Sequence, residues 1–136
     1  MSSMRLLFGL VLAIALYPSV SFAEWTLVAN ENNGTRAYIL TESITRIDAN
    51  NTQAWTKYDV RYSTDPQDKN LLEIVILRQF NCRLRISRYL QYTEYFKDGK
   101  VQTDSMISSW KYVIPESIGE ALLDIACQAT NFRRPT

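Results

Sequence analysis

The sequence predicts one α+β domain, a single antiparallel sheet of about six strands with a C-terminal helix tethered by a disulfide to one face. Three observations predict it. Apolar side chains alternate along residues 71–96, they recur at spacings of three and four after Pro115, and each of these regions holds one of the two cysteines, Cys82 and Cys127. Strands alternate their side chains between two faces, whereas helices place residues three and four apart on one face.

Residues 1–23 are expected to be a secretory signal peptide. Arg5 precedes an unbroken apolar run at 6–17, and small residues precede the expected cleavage after Ala23. A membrane anchor is the other interpretation, but this run is too short to cross a bilayer core. The remaining chain, 24–136, is then one exported domain, located in the periplasm, at the cell surface or outside the cell.

Four strands are expected before residue 64, because this part of the chain is rich in β-branched and aromatic residues between turns of asparagine, aspartate and glycine. Their expected bounds are 25–30, 35–42, 43–48 and 52–63. A polar loop around Pro66 follows.

Alternation is clearest in the segment 71–96, whose even positions are mostly apolar. The pattern places Cys82 on the apolar face and directs Arg83 and Arg85 to the other face. One strand of this length would extend about 80 Å, so the segment is expected to fold back near Cys82. A turn there could reset the alternation.

A hairpin turn with Gly99 at its tip leads into the expected last strand, 101–114. Pro115 ends that strand. Ser117 with Glu120 three residues later forms a capping box, which predicts the start of a helix.

The expected helix has two apolar stripes. The first comprises Ile118, Ala121, Leu122, Ile125 and Ala126, and the second comprises Gly119, Leu123 and Cys127. If Cys127 bonds to Cys82, the second stripe faces the sheet and the edge formed by Ile118, Ala121 and Ile125 is only partly covered. So wide an apolar arc indicates a helix that is deeply embedded or shared with a partner chain.

An even number of cysteines in an exported protein indicates a disulfide, here Cys82 with Cys127. Two buried free thiols are the alternative. The bridge would contribute roughly 4 kcal/mol to stability in the chain-entropy model.

Composition excludes several functions. The chain has 15 basic and 14 acidic residues, which argues against general attraction to nucleic acid or anionic lipid. It has no histidine, which removes the imidazole base and the commonest zinc ligand, and it has no phosphate-binding glycine loop. Asp65 and Asp68 are the nearest pair of carboxylates that could act as acid and base, and we interpret them as solvated turn residues. No enzymatic activity, metal or cofactor is expected.

The candidate partner-binding residues are Arg83, Arg85, Arg88 and Tyr89, which could form a basic and aromatic surface. On an exported protein such a surface suits sulfated glycans, acidic matrix proteins or envelope polymers, and nucleic acid is not expected. The alternative is that the arginines lie on a solvated sheet face and the tyrosines complete the rim of the core.

Structural residues spread over the chain carry a family resemblance. They are Trp25, Tyr38, "SITR" at 43–46, Trp55, "FNC" at 80–82, Tyr95, Gly99, "WKYVIPES" at 110–117 and Cys127. In this order they resemble the surface-adhesin protein E family of bacterial exported proteins.

The resemblance implies an antiparallel sheet with a disulfide-tethered C-terminal helix, and it favours a homodimer. The founding member is a dimeric surface adhesin that engages matrix proteins such as laminin and vitronectin. Haem binding is also attributed to it. This chain lacks histidine, although a tyrosine could ligate the iron. The expected function is non-catalytic, adhesin-like binding to host matrix or envelope partners, and the alternative is a periplasmic accessory or structural protein without a host partner.

Overall fold

The computed structural model describes residues 24–130, so the predicted signal peptide lies outside the described residues. These residues form one antiparallel sheet followed by one α-helix. The elements are β1 Trp25–Asn30, β2 Arg36–Leu40, β3 Thr45–Arg46, β4 Asn51–Asp59, β5 Leu71–Asn81, β6 Ile86–Phe96, β7 Val101–Asp104, β8 Lys111–Tyr112 and α1 Ile118–Ala129. Six strands form the path β1-β2-β4-β5-β6-β7, while β3 pairs with β4 and β8 pairs with β6. The predicted fold class is confirmed.

Helix α1 covers one face of the sheet, which we call the inner face, and the opposite one the outer face. Leu122, Leu123 and Ala126 are fully buried there against Phe80 and Ile39. Each buried leucine stabilises the fold by roughly 1.5–3 kcal/mol relative to an exposed one. The helix and the middle strands therefore share one hydrophobic core.

A disulfide joins Cys82, directly after β5, to Cys127 near the end of α1, with 5.8 Å between their α-carbons. The predicted pairing is confirmed. The predicted coverage of the helix is confirmed as well, since Leu123 and Cys127 are buried while Ile118 and Ile125 are half-buried.

Ser117 caps the helix as predicted, because its hydroxyl accepts a hydrogen bond from the Glu120 N–H at 3.3 Å. The return bond differs from the usual capping box. The Glu120 carboxylate accepts from the N–H of Glu116 rather than from that of Ser117. Glu116 lies in the left-handed region, with φ of 61°, and the Ser117 N–H instead donates to the Ile114 carbonyl.

The chain reverses at residues 82–85, as predicted for this region, and the turn changes the parity of the alternation. Directly paired residues of neighbouring strands share a face. Ile86 pairs with Asn81 and Arg88 pairs with Gln79, on the outer face, while Tyr89 pairs with Arg78 on the inner face. The even-numbered apolar face predicted for 71–96 is therefore wrong at Ile86 and Arg88.

A second irregularity restores the original parity. The register shifts between Leu77, which pairs with Gln91, and Arg78, which pairs with Tyr89, so β6 contains a bulge at Leu90. Beyond it, Tyr92 pairs with Ile76 on the inner face, where the even pattern placed it.

Several predicted strands are shorter than expected. A 3₁₀ turn at Thr41–Ser43 limits the second strand to Arg36–Leu40 and the third to Thr45–Arg46. The fourth ends at Asp59, because a turn closed by the Ser63 N–H and the Val60 carbonyl follows it. The last strand divides into β7 and β8, and Ser108 lies in the stretch between them. The Ser108 hydroxyl accepts from the Tyr89 N–H at 2.8 Å, so a side chain takes the place of a strand carbonyl.

Candidate binding site at the end of the β5–β6 hairpin

The β5–β6 turn, residues 82–85, and residues 111–114, which we call the β8 segment, lie side by side at one end of the sheet. Ile86 pairs with Tyr112, and the Val113 N–H donates to the Arg85 carbonyl at 3.1 Å. Both segments carry large exposed side chains. We define the hairpin-end surface as Arg83, Leu84, Lys111, Tyr112 and Ile114, all of them exposed, with Tyr112 at 85% and Ile114 at 71%.

Of the four predicted partner-binding residues, Arg83 is exposed at the turn, whereas the Arg85 side chain is bound in ion pairs with α1. The Arg85 guanidinium lies 3.0 Å from the Asp124 carboxylate and 3.3 Å from the Glu120 carboxylate, both on α1. The prediction that Arg85 points away from the apolar face is wrong. Arg85 is a turn residue with φ of 55°, so strand alternation does not govern its direction.

Arg88 and Tyr89 lie on opposite faces of β6. The Arg88 Nε donates to Gln79 on the outer face at 2.8 Å, and its guanidinium lies 4.4 Å from the centre of the Trp110 ring. Tyr89 lies on the inner face, with its backbone bound to Ser108. The four predicted residues therefore do not form one patch, and Arg88 fixes Trp110 just before β8.

Arg78 is a further candidate that the sequence interpretation did not single out. It is only 4% exposed and lies on the inner face, opposite the small side chain of Ala54. Its Nη2 donates to the Tyr58 hydroxyl at 2.9 Å, and its guanidinium lies 5.0 Å from the ring centre of Tyr89. Its Nε is buried and has no hydrogen-bond partner in the part of the chain that the structure describes. Within residues 24–130, no carboxylate oxygen lies within 4.0 Å of the guanidinium.

Burial shapes the electrostatics around this arginine. It raises the pKa of the Tyr58 hydroxyl, and the neighbouring Arg78 charge offsets part of that rise. Burial likewise raises the pKa of Tyr92 to about 12. Both phenols are therefore neutral at physiological pH, so neither supplies a negative charge to Arg78.

A cavity of about 200 Å³ lies beside Arg78, between β6, the β8 segment and the start of α1. Among the described residues, its walls contain cationic and hydroxyl-bearing side chains and no carboxylate. They include Arg78, Ser87, Tyr89, Lys111, Ser117 and Gly119. Arg88 also contributes to the wall, although its guanidinium is bound on the outer face.

Other parts of the described chain offer less specific chemistry. A concavity of about 790 Å³ near the β6–β7 turn includes Lys97, Asp98 and Lys100, and the last two pair with each other at 3.8 Å. Asp65 accepts from the Gln67 N–H and Asp68 from the Ser63 hydroxyl, which are ordinary turn contacts. Among residues 24–130 no group of three acidic or cysteine side chains could hold a metal ion, and α1 is not long and apolar enough to cross a membrane.

Residues 25–128 match the family model of Surface-adhesin protein E. The chain belongs to this family. No curated protein and no solved structure gives a significant match. Membership in the surface-adhesin protein E family indicates a surface adhesin, exported or at the cell surface, and points to a non-enzymatic role.

Proposed function

We propose that the protein is an exported, non-catalytic, adhesin-like binding protein that contacts host matrix proteins or acidic and sulfated glycans through the hairpin-end surface. One observation supports this most. A member of the surface-adhesin protein E family exposes Leu84, Tyr112 and Ile114 beside the cations Arg83 and Lys111 at one end of its sheet.

The chemistry of this surface suits a large acidic partner. Exposed aromatic and aliphatic side chains bordered by polar groups are typical of interaction sites, and tyrosine is enriched among residues that dominate binding energy. Because the whole chain has a net charge of only +1, attraction to an acidic polymer must come from local cations. Binding is therefore expected to weaken as salt screens Arg83 and Lys111.

The four predicted residues take different roles in this proposal. Arg83 contacts the partner directly. Arg85 is neutralised by two carboxylates of α1 and holds the turn in place. Arg88 and Tyr89 position the β8 segment through Trp110 and Ser108.

Solid-phase binding of the protein to immobilised laminin and to heparin tests the proposal. We compare wild type with Arg83→Ala, with the double variant Arg83→Ala/Arg85→Ala and with Tyr112→Ser/Ile114→Ser. Lys69→Ala is a matched control, since Lys69 is an exposed cation in the loop before β5. The surface variants are expected to lose binding while the control keeps it. Equal binding by all variants would remove this surface from the proposal, and no binding by wild type would contradict the adhesin role towards these partners.

Protease treatment of intact producing cells tests the location. A surface adhesin is expected to be degraded while a periplasmic marker protein stays intact. Protection until the outer membrane is opened would contradict the surface location and favour the accessory role in the periplasm.

A further inference from the structure

Arg78 is a buried charge with no carboxylate oxygen within 4.0 Å among residues 24–130. A guanidinium stays protonated at any physiological pH, and burying a charge is costly unless it is paired and hydrogen-bonded. Its described partners are the Tyr58 hydroxyl and the faces of the Tyr58 and Tyr89 rings, at 5.7 and 5.0 Å. These contacts are neutral, and among the described residues the Nε has no hydrogen-bond partner. An anion bound beside the guanidinium would supply a counter-charge.

The N-terminus of α1, a twelve-residue helix, also lines the cavity beside Arg78. The N–H groups of Ile118 and Gly119, in the first turn of α1, precede any carbonyl partner within the helix. They and the helix dipole favour a negative charge at this end. Lys111 is paired with Ser87, which lies on the inner face. Lys111 therefore lies on the same face as Arg78 and is a second cation in the lining of the cavity.

Gly119 leaves room between the helix and the arginine. A Cβ at this position would lie 3.8 Å from the Arg78 Nη1 and 3.4 Å from the Ser117 hydroxyl. Without that carbon, the backbone of the first turn stays open towards the guanidinium.

The nearby carboxylates belong to a different depression. Glu31, Glu116, Glu120 and Asp124 line it, on another side of the helix start. Glu120 and Asp124 are bound there to Arg85. Among the described residues, the charged side chains that line the cavity at Arg78 are those of Arg78, Arg88 and Lys111.

We propose that this cavity binds one small oxoanion, held between the Arg78 guanidinium and the first turn of α1, with Lys111 at its entrance. The anionic group is a sulfate, phosphate or carboxylate, either as a free ion or as the terminal group of a larger partner. A guanidinium presents paired N–H donors that suit such groups. The site does not depend on the adhesin role.

Isothermal titration calorimetry and thermal unfolding test the site on the exported chain. The probes are sodium sulfate, sodium phosphate and sodium acetate, each against sodium chloride at matched ionic strength. Saturable binding is expected for at least one oxoanion, together with a rise in the unfolding temperature that follows its affinity. A salt effect on surface hydration would not saturate and would be the same in every variant. Failure of all three oxoanions to bind wild type would overturn the proposal.

Arg78→Met and Gly119→Ala are the test variants, and Arg83→Ala is the control outside the cavity. Both test variants are expected to bind the oxoanion about tenfold more weakly or worse, since hydrogen bonds to charged groups are lost or blocked. Gly119→Ala is expected to fold well because alanine favours the helix, so the test survives if Arg78→Met fails to fold. Unchanged affinity in either folded variant would overturn the site.

A sulfated heparin disaccharide distinguishes the two sources of the anion. Affinity equal to that of free sulfate indicates a site for the ion, whereas tighter binding that Arg78→Met abolishes indicates a terminal group on a saccharide. Disaccharide binding that both test variants retain would overturn the assignment. Sulfate binding without adhesion to laminin or heparin would support this site and contradict the proposed function.

Discussion

The guanidinium of Arg85 lies 3.0 Å from the carboxylate of Asp124, so the turn after β5 is bound to the helix by an ion pair as well as by a disulfide. The two links differ in kind. Cys82 and Cys127 join the segments covalently within the hydrophobic core, while Arg85 connects them at a partly solvated edge. Together they fix the orientation of the hairpin-end surface relative to α1.

Replacing Arg85 by glutamine is expected to lower the free energy of unfolding by about 0.5–1 kcal/mol. The side chains of Arg85, Glu120 and Asp124 remain 31–43% exposed, and ion pairs that are this exposed contribute little to stability. Urea unfolding measures the change, with Arg83→Gln as the control, because Arg83 is exposed and makes no ion pair with the described residues. Equal losses in both variants would contradict a structural role for Arg85.

Removing the disulfide in the double variant Cys82→Ala/Cys127→Ala is expected to lower the free energy of unfolding by roughly 4 kcal/mol. The bridge closes a loop across 45 positions, and its loss gives the unfolded chain more conformations. Urea unfolding with and without reductant measures it. Reductant is expected to destabilise wild type and leave the double variant unchanged, and the opposite pattern would contradict the prediction.

Gly34→Ala is expected to destabilise the protein more than Gly99→Ala. Both glycines have positive φ, 94° and 88°, so each substitution incurs about 1–2 kcal/mol of left-handed strain. A Cβ on Gly34 would also collide with the Tyr62 carbonyl, whereas a Cβ on Gly99 would meet no atom within 4 Å. Thermal and urea unfolding compare the two variants, and equal costs would show that the contact with Tyr62 is not tight.

Stability is expected to fall as the pH rises from about 10 to about 12. Burial raises the pKa of Tyr92 to about 12, while an unfolded tyrosine ionises near 10. The unfolded state therefore loses its proton first, and the stabilisation present below pH 10 disappears as the pH approaches the folded-state pKa. Burial raises the pKa of Tyr58 as well, so that group acts in the same direction.

Tyr92→Phe is expected to lose less stability than wild type over this range, and Tyr112→Phe, at an exposed position, serves as the control. Urea unfolding at several pH values measures the slope. A Tyr92→Phe protein with the wild-type slope would show that Tyr92 does not carry the effect.

Alternation and capping predicted the main architecture because they depend on local geometry. The even-numbered pattern placed Cys82 on the covered face, and the even number of cysteines indicated the disulfide. The disulfide in turn required the helix stripe that contains Cys127 to face the sheet. The same counting failed at Arg88 and Tyr89. The turn and the bulge at Leu90 each change which face a residue takes, and no residue type in the sequence marks that bulge.

The surroundings of Arg78 could not be predicted for a different reason. Its position among apolar residues indicates burial, but the absence of a nearby carboxylate depends on how α1 and the β8 segment pack. Trp110 and Ser108 were missed for the same reason, since their contacts with β6 join distant parts of the chain.

Hydrogen–deuterium exchange of the protein with and without heparin, and with and without laminin, tests the central claim most directly. Slower exchange is expected in the β5–β6 turn at 82–85 and in the segment 111–116, with little change at the β6–β7 turn at 97–100. Binding that protects only other parts of the chain would contradict the assignment of the hairpin-end surface as the contact site.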